Sequence, residues 1–579
     1  MCKLPHKTRG MQRYVLLFMS FLCWAIVLKA QEEEMYRDFQ GQHHMLDASE
    51  MDRIQESRKG FIPSQAPVGP LRNIAEFNRM EGVLVSYSSG FGIPLSLIAE
   101  MSQDAVVWTI VSGNSQQNYV TTQYQNNGVN LSNCFFLQKP INSYWTRDYG
   151  PWFILDGNGE VGIVDFPYNR PRPYDNAIPG HIATEKGLNL FSMNLLHTGG
   201  NYMTDGMGVA ASTDLVLSEN ASLSLAQIDQ LVNDYLGIHT YHLNDDPLGL
   251  YIEHIDCWGK FLDVDKILIG EVPMSDPRYA DYEAVAAYYA SHLSSYGNPY
   301  QVFRVYAPNG QPYTNSLILN EKVFVPVVNG AGAVWNDSAI ARYEQAMPGY
   351  QVIPVTQYNS APWQTTDALH CRTKGLADTE ILDIWHQPLS GQLSPLPQYV
   401  LSARITAASG QGLIPDSLYC DFRLNGGGWS RLLLSPDTAN QWHCTIPAQV
   451  PGTTVEYVLH ASDSSGRNES HPFIGYADPH SFSVQNILNR TEEKGGSYLH
   501  ILPNPSMDWS FINFSSTRAG KVSVHIFTSG GKLVYQESWP NIPAGKHQKR
   551  LNISTWKSGM YFIVLEVPGR TLRAKLIRS

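Results

Sequence analysis

The sequence predicts an α/β protein followed by two all-β units, and three observations carry that expectation. From Pro63 to about Gln387, short apolar segments that read as buried strands alternate with runs of helical period, the pattern of α/β folds. Residues 388–487 turn rich in Ser, Thr, Gly and Pro, with short alternating strands parted by turn signals, the pattern of an immunoglobulin-like β-sandwich. A polar stretch at 488–498 then reads as a linker to a third, smaller β unit at 499–579.

Each element follows in order. Lys3, Lys7, Arg9 and Arg13 precede an apolar run that ends near Leu28, with Ala30 as a small residue for cleavage, so residues 1–30 read as a secretory signal. The run is shorter than the roughly 20 residues a membrane-spanning helix needs. Residues 31–62 are polar, and Ser57-Arg58-Lys59-Gly60 suits a trypsin-like processing enzyme. They read as a pro-segment or as a flexible arm. In the α/β block, strands are expected after Gly82, Ala105, Gly162, Lys266 and Lys322, and helices over 223–237 and 282–297. In the second unit, strands are expected at 399–405, 418–424, 456–462 and 480–484, parted by Asn425-Gly426-Gly427-Gly428 and Asp463-Ser464-Ser465-Gly466.

Net charge is −11 with no long Lys/Arg run, so the electrostatic footprint of nucleic-acid binding is missing. An acidic surface favours cationic substrates instead. Of seven cysteines, Cys2 and Cys23 fall in the signal, leaving Cys134, Cys257, Cys371, Cys420 and Cys444. An odd number in an oxidising compartment points to one free, reactive thiol. Cys420 and Cys444 lie on neighbouring predicted strands and could form a disulfide, while Cys134 and Cys257 read as packing residues.

The chemistry gathers around Tyr251–Phe261, which its β-branched and aromatic content predicts to be a strand. Alternation along a strand would put His254 and Asp256 on one face and turn Cys257 away. Three other stretches join it: Trp145-Thr146-Arg147-Asp148, the segment carrying Asn315, and Asp367–Gly375 with Cys371. A thiol, an imidazole, two carboxylates and an amide suggest nucleophilic catalysis on a cation. A cysteine protease needs one group to orient its histidine, whereas two carboxylates suit the N–H fork of a guanidinium. Thiolate attack on the guanidinium carbon expels ammonia, and water releases a ureido product. That reaction turns arginine into citrulline, and it needs no metal or other cofactor.

The motifs WTRDYGPW, TGGNYMTDG, EHIDCWGKF and ALHCRTKG resemble the agmatine deiminase and bacterial peptidylarginine deiminase branch of the guanidine-modifying superfamily. The order of units resembles the secreted peptidylarginine deiminases of periodontal bacteria. The resemblance implies a propeller of five ββαβ blades with the site at its centre. It implies Cys371 as nucleophile and His254 as general acid/base. Asp148 and Asp256 would clamp the guanidinium, Asn315 would position the thiol, and Trp145 would wall the substrate's aliphatic stem. Two departures argue against free agmatine: residues 366–370 lack the glycines that precede the agmatine deiminase cysteine, and Thr198 replaces an acidic residue before Gly199-Gly200-Asn201.

The peptidyl branch binds a terminal carboxylate with paired arginines, and Asn169-Arg170-Pro171-Arg172-Pro173 offers Arg170 and Arg172, which the prolines would hold extended. Tyr251 is expected in the same pocket, and peptides ending in arginine are the expected substrates. Pro503-Asn504-Pro505, the run after Gly559 and the basic final strand resemble a type IX secretion sorting domain. This implies handling by the type IX machinery, then removal of the domain and release or lipopolysaccharide attachment outside the cell; nothing in the sequence demands more than a monomer. The other readings are a free arginine or agmatine deiminase, and a surface adhesin without activity.

Overall fold

The computed structural model describes residues 50–578 except 51–52, 89, 358–360, 439, 486–497, 503 and 507–508. The expected signal peptide, residues 31–49 of the pro-segment and residues 488–497 of the linker lie outside the described residues. Residues up to Gln485 form one compact unit and the remainder a second.

The α/β block carries β1 (Arg72–Asn73), β2 (Met80–Ser86), β3 (Val106–Val111), β4 (Cys134–Gln138), β5 (Trp152–Leu155), β6 (Val161–Asp165), β7 (Asn189–Ser192), β8 (Met203–Thr204), β9 (Val209–Thr213), β10 (Thr240–Asn244), β11 (Gly259–Asp263), β12 (Lys266–Glu271), β13 (Gln301–Tyr306), β14 (Leu317–Leu319), β15 (Lys322–Val327), β16 (Gln351–Thr356) and β17 (Lys374–Ala377). They form five small sheets, ordered β17-β2-β3-β4, β1-β5-β6-β7, β10-β9-β8, β11-β12-β13 and β14-β15-β16. One pattern repeats in each: a strand enters antiparallel to the next, and a helical crossover returns a parallel third. Parallel neighbours need such a crossover, and this is why strands and helices alternate along the sequence. β17, last in the block, pairs with β2 near its start and joins the block's two ends in one sheet.

Local sequence explains these elements. Val83, Leu84, Val107, Ile110, Ile267, Leu268, Val323 and Phe324 are wholly buried, as strands covered on both faces require. The helix Leu225–Leu236 opens with a Ser224/Gln227 capping box and closes on Gly237, whose φ of 70° only glycine adopts freely. The helix expected over 282–297 runs from Tyr279 to Ser291 instead. After it the chain turns, and Leu293 bridges to Pro299.

The second β unit begins earlier than 388, because Leu382–His386 pairs antiparallel with Gln398–Ala407. Its sheets, one of which includes Tyr419–Leu424, Thr454–Ser462 and His480–Val484, enclose a core of Leu401, Ile405, Val455, Tyr457 and Phe482. Cys420 and Cys444 stand on strands of different sheets, their thiols meet across the core, and no disulfide joins them. Ion pairs Arg72–Asp383, Lys266–Asp478 and Arg467–Asp378 fix this unit to the α/β block.

The same junction buries three histidines. His471 Nδ1 and His480 Nε2 lie 2.8 Å apart, and His386 Nε2 meets the Tyr457 hydroxyl at 2.9 Å. Burial pushes His386 down to about 4, and burial with neighbouring histidines holds His471 and His480 well below the usual range. The folded state therefore refuses protons that the unfolded chain takes up as pH falls through about 6.5. Their contribution to stability is present above that pH and is lost on acidification. Thermal melts at pH 7.5 and pH 5 should show a clear fall in Tm, and His480→Gln should narrow that fall.

The C-terminal unit has two antiparallel sheets, one built on Trp509–Ser516 and the other on Gly520–Thr528 and Gly559–Val567. Their core includes Phe514, Val524, Ile526, Ile563 and Leu576.

Candidate active site

The five connections that lead from one small sheet into the next all bring residues to one place. Thr146–Tyr149 precedes β5, Gly199–Asn201 precedes β8, Ile255–Cys257 precedes β11, Tyr313–Ser316 precedes β14, and the Cys371 turn precedes β17. Cys371 and Trp145 are fully buried, and Asp148, His254, Asp256 and Asn315 are each only 1% exposed. Such enclosure strengthens every electrostatic interaction within.

Cys371 Sγ accepts from Asn315 Nδ2 at 3.2 Å and lies 3.7 Å from Asp256 Oδ2. The Asn315 side-chain oxygen in turn accepts from the backbone N–H groups of His370 at 2.9 Å and Cys371 at 3.3 Å. One amide thus fixes both the thiol and its peptide. Burial, then the charges of Asp256, Asp367 and Asp148, hold the Cys371 thiol well above its ordinary range. The sulfur stays protonated until a cation offsets those carboxylates.

His254 and Asp256 both reach the site, though not from a strand. Residues 251–253 form a turn, Ile255–Cys257 is a 3-10 helix, and the strand starts only at Gly259. Tertiary hydrogen bonds override the strand-like composition. Asn201 Oδ1 accepts from Ile255 N at 3.2 Å, Thr213 Oγ1 donates to the Glu253 carbonyl at 2.5 Å, and Glu253 sits at φ 49°. A non-glycine residue with positive φ beside a reactive group is local strain held by its surroundings. His254 Nδ1 lies 3.7 Å from Asp148 Oδ1. Cys257 does not turn fully away. Its thiol touches Asp256 Oδ1 at 3.5 Å, and burial with that carboxylate raises it well above its usual value.

Gly199 and Gly200 have no role that the sequence alone assigns. A Cβ on Gly200 would stand 2.5 Å from His254 Nδ1 and 2.8 Å from Asp148 Oδ1, and one on Gly199 would stand 2.1 Å from the Arg147 carbonyl oxygen. Gly200→Ala should displace both side chains and lower kcat by about 100-fold, since an error of about 1 Å in position has that effect. Steady-state kinetics beside a thermal melt measure this. Arg372 was also overlooked. It forms a two-point ion pair with Asp367 at 2.9 and 2.8 Å and donates to the Gly92, Ala361 and Pro362 carbonyls, bracing the turn that carries Cys371.

Arg170 and Arg172 are buried rather than solvated, and they are not extended. Arg172 N donates to the Arg170 carbonyl at 2.7 Å, making Pro171 the centre of a tight turn. The Arg172 guanidinium stacks 4.9 Å over the Trp145 ring, and Trp145 packs with Tyr144 and Cys371. Burial lowers Arg172, but Tyr168, Asp175, Glu50 and Asp148 more than compensate and keep it charged. Tyr251 is half-buried, with its hydroxyl 3.4 Å from Thr366 Oγ1, whose residue's carbonyl faces Cys371 Sγ at 4.0 Å. The segment after Glu50 lies against the same region. Ser57 Oγ donates to the Arg170 carbonyl at 2.9 Å, and Arg58 reaches Asn220 Oδ1 at 2.6 Å and Asn194 Oδ1 at 3.1 Å.

Residues 93–376 match the model of the Porphyromonas-type peptidyl-arginine deiminase family, and residues 500–579 match the secretion system C-terminal sorting domain. A Legionella pneumophila protein described as "putative agmatine deiminase" is 25% identical over 263 residues, spanning 42% of this chain and 74% of its own length. A solved structure described in the same words superposes with a TM-score of 0.50 at 18% identity, over 55% of this chain and 99% of that one, so the fold is shared. The solved agmatine deiminase of Enterococcus faecalis gives a TM-score of 0.47 at 18% identity over 55% of this chain and all of that one.

Proposed function

We infer the activity from a plain premise: through residues 93–376 the chain belongs to the Porphyromonas-type peptidyl-arginine deiminase family, hydrolases acting on C–N bonds of guanidines. Its sorting domain directs it by type IX secretion to the extracellular or cell-surface side. Within that family we propose a protein-arginine deiminase that prefers peptides ending in arginine. The five sheets would be the blades of a closed propeller around the site, and the second unit an immunoglobulin-like domain.

The observation that carries this reading is the stacking of Arg172 on Trp145 in the same small cluster as Cys371. A cation beside the nucleophile's aromatic wall offers a receptor for a carboxylate on the residue whose side chain reaches the thiol. Agmatine has no such carboxylate.

The mechanism follows from the geometry. A guanidinium entering between Asp148 and Asp256 donates its N–H groups to them and offsets the charge that keeps Cys371 protonated. The thiol then passes its proton to His254, and Sγ bonds to the guanidinium carbon. His254 supplies the proton with which one nitrogen leaves as ammonia, so the C–N bond breaks and a covalent thiouronium remains. His254 next takes a proton from water, whose oxygen bonds to the same carbon. The C–S bond breaks, citrulline is released, and Cys371 recovers its thiol.

The test incubates the full-length protein with a peptide ending in arginine, the same peptide amidated, and agmatine, with ureido products read by mass spectrometry. Fastest conversion of the free-carboxylate peptide supports the reading. Conversion of agmatine alone keeps the chemistry and overturns the substrate. No conversion by folded, reduced protein favours an inactive adhesin.

Residues 50 and 53–62 fit the end of a pro-segment that shields this pocket. Glu50 adds its negative charge near Arg172, Ser57 ties the segment to the Arg170 turn, and Arg58 ties it to Asn220 and Asn194. Lys59 and Gly60 are exposed where Arg58 is half-buried, so the Lys59–Gly60 bond is the accessible cleavage point. Cleavage there should lower KM for terminal-arginine peptides and leave KM for agmatine nearly unchanged.

A further inference from the structure

Against the same Asp256 oxygen that faces Cys371 stands His370, which the mechanism above does not use. Its Nδ1 meets Asp256 Oδ2 at 2.7 Å, and its Nε2 meets Glu76 Oε2 at 2.6 Å. Glu76 Oε1 accepts from Lys260 Nζ at 2.7 Å and from Ile318 N at 2.9 Å, while Arg147 NH2 lies 2.9 Å from Oε2. Lys260 is on β11, Ile318 is on β14, Arg147 lies in the turn before β5 and His370 in the turn before β17, so four separate parts of the α/β block converge on the Glu76 carboxylate. His370 is 2% exposed and Asp256 1%.

These contacts constrain the protons. Burial pushes Glu76 up, but His370, Lys260 and Arg147 outweigh it and hold the carboxyl well below its usual range. For His370, burial and Arg147 act downward and Glu76 upward, with a net shift below the ordinary value. The distances nonetheless require two hydrogens among these three groups. A ring 2.6–2.7 Å from two carboxylate oxygens makes both contacts only with a hydrogen in each. Glu76 is held ionised, so Nε2 carries a hydrogen toward it, and the remaining proton lies between His370 Nδ1 and Asp256 Oδ2.

We propose that Glu76 and His370 are positioning residues of the deiminase: a buried carboxylate–imidazole–carboxylate chain that orients Asp256 toward substrate and keeps a proton beside the Cys371 thiol. The proposal rests on the reading above for its reaction, but the thiol's behaviour tests it without any substrate. Asp256 Oδ2 is the shared atom, 2.7 Å from His370 Nδ1 and 3.7 Å from Cys371 Sγ. The groups facing Cys371 are otherwise the carboxylates Asp256, Asp367 and Asp148, with Arg372 committed to Asp367. Around His370 stand Arg147, Lys260 and Lys374, the last pushed down to about 7 by burial and Arg147. Removing the ring and its proton leaves the thiol facing uncompensated negative charge, so its proton should become harder to remove.

The experiment compares full-length wild type, Glu76→Gln, His370→Gln and Glu76→Asp. The rate of Cys371 alkylation by iodoacetamide is followed against pH without substrate, beside the pH profile of kcat/KM on a peptide ending in arginine. In both glutamine variants, the alkylation curve and the acid limb of kcat/KM should move about one pH unit toward alkali, a tenfold slower alkylation at fixed pH. Glu76→Asp keeps the charge, so it should stay near the wild-type curve while kcat falls. Loss of activity or Tm with no movement of the alkylation curve would make the chain merely structural and overturn the proposal. A wild type that alkylates as expected but converts no arginyl substrate refutes the functional reading and leaves the alkylation arm to decide this one. Should the glutamine variants not fold, wild type labelled with 15N-histidine decides at pH 8.5: a ring protonated at Nε2 whose Nδ1 still holds or shares a proton supports the proposal, and rings with one bare nitrogen alone overturn it.

Discussion

Cys371→Ala should abolish conversion of terminal-arginine peptides, by roughly 10⁴-fold or more, while Tm moves by only a few degrees. Losing a nucleophile removes the covalent step itself, and single deletions within a reacting group cost nearly as much as deleting the whole group. Cys371 is the one described thiol inside the cluster of Asn315, Asp256 and Trp145. Cys134 donates to the Asn130 carbonyl, and Cys257 meets Asp256 through Oδ1 rather than the Oδ2 that faces Cys371. The fold should tolerate the change, because the Asn315 side-chain oxygen holds the backbone of residue 371 and Arg372 braces the turn, neither through the sulfur. Citrulline mass spectrometry beside a thermal melt checks both halves. Residual activity within tenfold of wild type would mean another nucleophile.

Arg172→Ala should cost about 2–5 kcal/mol of transition-state binding, roughly 30- to several-thousand-fold in kcat/KM, and only for substrates with a free terminal carboxylate. A carboxylate in this buried pocket would face no partner once the guanidinium is gone. The amidated peptide and agmatine should change little. Arg172→Lys should fall between, because an ammonium keeps the charge but loses the stacked, two-point geometry over Trp145. If neither Arg172→Ala nor Arg170→Ala alters the preference for terminal over amidated arginine, the carboxylate pocket lies elsewhere.

Several errors of the sequence reading have one origin. Tyr251–Trp258 has strand-like composition, yet Asn201 and Thr213, both more than thirty residues away, claim its backbone groups and fold it into a 3-10 turn. The Arg170–Pro171–Arg172 turn was read as extended because each proline restricts its neighbour, but the Arg172 N–H found the Arg170 carbonyl instead. Leu382–His386 was assigned to the α/β block by position, whereas its hydrogen bonds join it to Gln398–Ala407.

The sequence by itself determined the alternation of buried strands and helices and the kinds of group present: a thiol, an imidazole beside carboxylates, an amide, paired arginines, and a C-terminal β unit. These properties are local, set by side-chain type and short-range period. The tertiary structure decided how they meet. Asn315 reaches Cys371 across 56 positions and Asp256 reaches it across 115, and Glu76 reaches His370 across 294. No local pattern encodes such contacts. They arise because five similar sheets each send one connection to a common centre, where burial removes water and leaves those groups only one another as partners.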